Sequence, residues 1–276
     1  MVGFLIAALL ASAPVAPIVP VAPVGVPAQP ARPAMWVLRD ADTTIYLFGT
    51  FHALDGRTHW FDGNVRQAFS TSDSLVLETI IPERPKLSQG STRRSGHSFS
   101  VPMHGFTVAP GASFLATARV AVTAGQEQGM QVSKGADMVL RHAAEADGKV
   151  VEGLELFDTQ LGMFARMAPV EPAAAGSVEY PAAKARLSSV MTLMQTAWTR
   201  GDQRVFASLL EEMRRSTPEN YRVMFPERNA QWAGWIARRM DQPGTVFVAV
   251  GAGHFAGPDS VLSKLTMRGL VATRLN

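Results

Sequence analysis

The chain has 276 residues, enough for one large α/β domain or two small ones, and its 47% apolar and 18% charged residues exclude a disordered or coiled-coil chain. It contains no cysteine, which rules out a disulfide framework, a thiolate metal site and a cysteine nucleophile, so any metal must be held by His, Asp or Glu. The 26 basic and 23 acidic residues leave a net charge of +3, too little to argue for a nucleic-acid partner.

Residues 2–13 form an apolar run too short to span a bilayer comfortably, and Ala11-Ser12-Ala13 has the small residues that signal peptidases cut after. Export to the periplasm or cell envelope is the expectation, with an uncleaved anchor or an overlong gene start as the alternatives. No Lys or Arg precedes the run, the first charged residue being Arg32, and Pro14 would hinder cleavage directly after Ala13. Residues 14–33 alternate Pro with Val and Ala, the composition of an extended tether. Residues 1–34 are therefore read as leader or anchor plus tether, and 35–276 as a single domain. Membrane association is expected through the N-terminus alone.

In chain order, the pattern predicts a strand at 43–48, a short helix at 64–69 and a second strand at 74–77. Residues 82–111, rich in Pro, Ser, Gly and Arg, read as a long loop of the functional or mobile kind. It carries His97, His104 and the basic group Arg84, Lys86, Arg93 and Arg94. A helix at about 135–146 leads into a third strand at 150–154. Amphipathic helices follow at 187–199 and 203–214, the second capped by Asp202, and a third at about 227–240. These could cover a sheet or build a lid. Residues 245–250 form a nearly uninterrupted apolar strand of the kind buried in the middle of a parallel sheet. A glycine-rich turn follows, then a helix opened by Pro258 and closed by Gly269, then 270–275, which repeats the strand-helix-strand pattern of the N-terminal part.

The chemistry concentrates where strands end. One strand runs into Gly49-Thr50-Phe51-His52 and another into Gly251-Ala252-Gly253-His254, and others end at Glu78 and Glu155. Parallel strands share a carboxyl edge, where open α/β sheets bind their ligands, so two imidazoles and two carboxylates could meet there. Glycine permits the close backbone approach such a site needs. The set suits a divalent ion (Mn, Co or Zn) that activates water, with a free carboxylate as general base. Against this stands the ordinary structural reading: a lone histidine beside a turn, or a strand-end glutamate meeting an arginine. Arg228 and Asn229 share a helix with Trp232 and Trp235 and read either as core with a solvated edge or as holders of a carboxylate or oxyanion. Asp137 could face the site from the start of its helix but reads first as a helix cap, His59 reads as a loop residue, His142 as part of a polar helix face, and Met191 and Met194 as core. Residues 251–257 have neither the P-loop lysine nor the dinucleotide glycine spacing.

Thr44-Ile45-Tyr46-Leu47-Phe48-Gly49-Thr50-Phe51-His52, Leu75-Val76-Leu77-Glu78, Val151-Glu152-Gly153-Leu154-Glu155 with Gln160, Glu227-Arg228-Asn229 with Trp232, and Phe247-Val248-Ala249-Val250-Gly251-Ala252-Gly253-His254 with Gly257 together resemble the TraB/GumN family. The likeness runs from Met35 to the C-terminus. The stretch after Glu83 departs from it, a short Pro/Ser/Arg segment replacing the leucine-rich helices expected there. The resemblance implies an α/β fold with a central, mostly parallel sheet covered by helices and a helical insertion or lid, as in the erythromycin esterases. The family includes the Tiki proteins, membrane-tethered proteases whose two Gly-x-x-His motifs and glutamate are associated with activity and with Mn or Co. It would carry those roles onto His52, His254 and Glu78, with Glu155 as a further metal ligand and Arg228 and Asn229 as further catalytic pocket residues. The expectation is a metal-dependent peptidase acting on an envelope peptide or protein. The alternatives are a metal-independent esterase with His52 as base, or a non-catalytic envelope module binding peptide or polysaccharide.

Overall fold

The structure, a computed structural model, describes residues 31–81, 123–167, 178 and 180–276. The loop expected at 82–111 lies outside the described residues, with its histidines and basic group, as does most of the N-terminal leader and tether. Among the described residues, no helix is long and apolar enough to cross a membrane.

The strands are β1 (Met35–Arg39), β2 (Thr43–Thr50), β3 (Ser74–Leu77), β4 (Val150–Gly153), β5 (Gly244–Gly251) and β6 (Thr273–Arg274). They form a single mixed sheet in the order β4-β3-β5-β2-β1-β6. β4, β3, β5 and β2 run parallel, whereas β1 pairs antiparallel with β2 and β6 antiparallel with β1. The α/β class and the mostly parallel sheet therefore stand. Two details differ from the sequence reading. β1 forms where no strand was expected, and 270–275 supplies only the two-residue β6, which closes an antiparallel edge instead of completing a second parallel unit.

Helices cover both faces. Among the described residues they include α1 (Gly63–Ser70), α2 (Ala136–Ala146), α3 (Phe157–Arg166), α4 (Tyr180–Thr199), α5 (Gln203–Ser216), α6 (Pro218–Met224), α7 (Pro226–Arg239) and α8 (Val261–Thr266). Period-two alternation along the strands divides the core. Ile45, Leu47, Val76, Val246, Val248 and Val250 pack with Trp232 and Ile236 of α7 and Val261 and Leu265 of α8. Phe48, Leu75, Leu77, Phe247 and Ala249 point the other way, toward Trp198 of α4, Phe206 of α5 and Phe225. β5 is central and buried on both faces, which is why its sequence shows no polar alternation. Asp202 caps α5, accepting a bond from the Arg204 N–H at 3.0 Å, as its position implied. α8 begins later than expected, capped by Ser260, whose hydroxyl accepts from the Ser263 N–H. Met191 and Met194 are core, as their spacing suggested, and His59 and His142 are exposed.

Candidate functional site

Because β2 and β5 are parallel and in register, Gly49 lies opposite Val250 and Thr50 opposite Gly251. The two Gly-x-x-His turns thus leave the sheet side by side. A Cβ added to Gly49 would come within 3.2 Å of Ala252, so the first glycine is where the two turns touch. Its carbonyl accepts a 2.7 Å bond from Trp198 Nε1 of α4. β3 runs parallel on the other side of β5 and delivers Glu78 just beyond its end.

The three groups meet around Gly251. A Cβ there would lie 3.1 Å from Glu78 Oε1, 3.2 Å from His52 Nε2 and 3.7 Å from His254 Cδ2. Gly251 has φ −51°, a conformation open to any residue, so space rather than backbone geometry demands glycine. Its N–H donates to Glu78 Oε1 at 2.8 Å. The two imidazoles from distant parts of the chain therefore share one small volume with a carboxylate.

Each histidine has a side-chain neighbour at Nδ1. His254 Nδ1 is 2.6 Å from Asn229 Oδ1, and the Asn229 amide nitrogen donates to the Asp259 carbonyl at 2.8 Å. That second bond fixes the amide, so Oδ1 must accept and His254 carries its proton on Nδ1, leaving the Nε2 lone pair toward Glu78 Oε1, 3.5 Å away. The ring is fully buried between Phe225 and Trp232, with centroids at 4.9 and 4.5 Å. Burial is the main reason its pKa is held down at about 3, keeping the imidazole neutral. His52 Nδ1 lies 3.0 Å from Asp137 Oδ1, at an angle too poor for a hydrogen bond, and His52 Nε2 is buried without a partner among the described residues. α2 has no side-chain cap, so Asp137 faces His52 instead of closing its own helix. The helix start fits against His52 only because residue 135 is glycine, since a Cβ there would overlap the His52 carbonyl.

Arg228, buried on α7, ties the carboxylates together. Its Nε and Nη2 bind the two oxygens of Glu155, and Nη2 also donates to Glu78 Oε2 at 3.3 Å. Nη1 donates to the Met224 carbonyl at 3.2 Å and lies 3.4 Å from His254 Nε2, and the guanidinium stacks 4.5 Å from the Trp232 ring centre. Burial pushes the Glu78 carboxyl up, but His254, Arg228, His52 and the Gly251 N–H outweigh it and hold the pKa at about 2. Burial and the nearby Glu78 charge push Glu155 up against the pull of Arg228 and Gln160, whose amide donates to it at 3.1 Å. Two carboxylates thus face a single guanidinium beside two imidazoles.

All six residues singled out in the sequence lie in this cluster. Glu155, however, gives both oxygens to Arg228 and reaches the imidazoles only through it. Of the two readings left open for Arg228, it holds carboxylates, and they are the protein's own. Asp137, read first as a cap, faces His52 instead, and sequence reasoning missed Asp259, which acts through a backbone carbonyl and leaves no side-chain signature.

Among the described residues no group of three or more His, Asp or Glu side chains is set at the spacing of a preformed metal site. The donor chemistry nevertheless suits a divalent cation, with an excess of carboxylate over guanidinium, a neutral imidazole lone pair and the unpartnered His52 Nε2 around one point. An ion there would have to displace the long Arg228 contact to His254 Nε2.

No match was found among curated proteins or among solved structures. The family model described as TraB/PrgY/gumN matches residues 34–99 and 91–274, which takes in every residue of the cluster. The chain belongs to the TraB/PrgY/gumN family.

Proposed function

We propose that this protein is a hydrolase, acting on an amide bond of a peptide or protein in the cell envelope, with a divalent ion held by His52 Nε2, His254 Nε2 and Glu78. The observation that carries the reading is the convergence of His52, Glu78 and His254 on the space left by the absent side chain of Gly251. Such an ion would supply the positive charge that polarises a carbonyl and acidifies a water. The chain's own part is to hold that centre rigidly. Asn229 keeps the proton of His254 on Nδ1, Asp137 faces Nδ1 of His52, and Arg228 keeps Glu78 ionised and turned inward. Arg228 also provides a fixed cation beside His254, placed to steady negative charge developing on the substrate. Apolar side chains line the space beside the histidines, and the low dielectric of such surroundings strengthens each of these interactions.

A second reading has its own observation. Arg228 Nη1 already lies against His254 Nε2, and Asp137 Oδ1 is 3.0 Å from His52 Nδ1, near enough that a small rotation would make it the carboxylate behind a general base. In that case His52 Nε2 removes the proton from water and the guanidinium alone stabilises the oxyanion. Peptide cleavage by the full chain, with and without a chelator, separates the two. Loss with chelator and recovery with Mn or Co supports the first, resistance supports the second, and unchanged cleavage by the His52→Ala variant contradicts both.

A further inference from the structure

Beside the two histidines, on the Trp198 face of the sheet, lies a cavity of about 30 Å³. Its walls are Phe51, Met194, Phe206, Met224 and Phe225, drawn from the first histidine turn, α4, α5 and α6 and the residue joining α6 to α7. Thr50, the two histidines and residues 251–253 of the second histidine turn complete it. Thr50 Oγ1 and His52 Nε2 are buried without a hydrogen-bond partner among the described residues. Protein interiors pack closely, and buried polar atoms are rarely left unpaired, so a hollow bordered by two such residues is poorly explained as packing alone.

We propose that this cavity is the specificity pocket, accepting a small aliphatic side chain of the substrate, between alanine and valine in size, next to the amide presented to His52. About 10–15 Å³ accommodates one water-sized group, so the volume admits roughly two or three heavy atoms. Aromatic and long side chains are too large. The aromatic and methionine walls offer no partner to a charged group, whose burial would be costly. An amide at the mouth would give Thr50 Oγ1 the partner it otherwise lacks. The role in catalysis rests on the hydrolase reading, but the selectivity of the pocket is a binding property that can be measured without turnover.

The test uses the full chain labelled with 13C-methyl methionine and titrated with acetamide, isobutyramide and phenylacetamide, reading the Met194 and Met224 methyl resonances. Isobutyramide should shift both and bind about tenfold or more tighter than either of the others, a discrimination typical of one or two methyl groups in an apolar pocket. Met194→Phe should fill the cavity and remove the response. Met194→Ala, with its fold checked by circular dichroism, should enlarge it and admit phenylacetamide. Equal responses to the branched and aromatic amides, or methyl resonances that do not move with any amide, would overturn the pocket. Selective binding in a protein that cleaves nothing would keep the pocket and remove the hydrolase. Cleavage indifferent to side-chain size would do the reverse.

Discussion

His254 Nδ1 and Asn229 Oδ1 lie 2.6 Å apart in a fully buried setting, and this contact decides which nitrogen of His254 is free. Asn229→Leu would strand the Nδ1–H without an acceptor. A loss of about 1–3 kcal/mol in chemical denaturation is expected, the usual cost of an unpaired buried polar group. In the unaltered protein, 15N spectra at neutral pH should show His254 as the neutral Nδ1–H tautomer. Observation of the Nε2–H form would contradict the assignment.

Arg228 is buried against two carboxylates, so removing it leaves them facing each other without a cation. Arg228→Met should cost roughly 3–5 kcal/mol, as for other broken buried ion pairs, whereas the double variant Arg228→Met with Glu155→Gln should recover part of that loss. Arg228→Lys should behave more like Met than like Arg, because a lysine cannot bind Glu155 through two parallel bonds. Denaturant midpoints of the variants check this.

Gly251→Ala tests the shared space directly. The new methyl would sit 3.1 Å from Glu78 Oε1 and 3.2 Å from His52 Nε2, crowding side-chain atoms without forcing the backbone. The expected result is a folded protein whose thermal midpoint falls by no more than a few degrees, yet whose cobalt affinity and any cleavage activity drop at least tenfold. Gly135→Ala should instead lower stability sharply, because its methyl would overlap the His52 carbonyl.

The Tyr221 hydroxyl donates to Asp259 Oδ2 at 3.1 Å, and burial, with the Asp259 charge behind it, pushes the phenol up to about 12. Its folded pKa exceeds the ordinary value of 10.0, so the stability it contributes is complete below about pH 10 and is lost as pH rises toward 12. Ultraviolet titration should show one of the three tyrosines ionising late, and Tyr221→Phe should remove that phase. A wild-type profile with no late phase would contradict it.

Much of the site could be read from residue order alone, because a strand buried on both faces leaves an unmistakable apolar run and the Gly-x-x-His turns sit where those runs stop. Parallel pairing of β2 with β5 then brings the histidines together without further information. What could not be read depends on tertiary pairing. β1 is short and β6 shorter, and they are defined by pairing, β1 with β2 and β6 with β1. Asp137 sits in the first turn of a helix, where an acidic residue is equally at home for dipole reasons, so residue order left its approach to the site as the second of two readings. Residue order offered Glu155 two roles, a metal ligand through the family resemblance or a strand-end glutamate meeting an arginine. Its partner Arg228 lies 73 residues away, and only the fold shows that both its oxygens are taken.

The most direct test of the convergence of His52, Glu78 and His254 is a Co²⁺ titration of the full chain followed through its visible absorption. The account predicts one equivalent bound per chain, with binding and spectrum lost in His52→Ala, in His254→Ala and in Glu78→Gln alike, because the three contribute to one centre. Cobalt bound with the same affinity and spectrum after any one of these changes would contradict it.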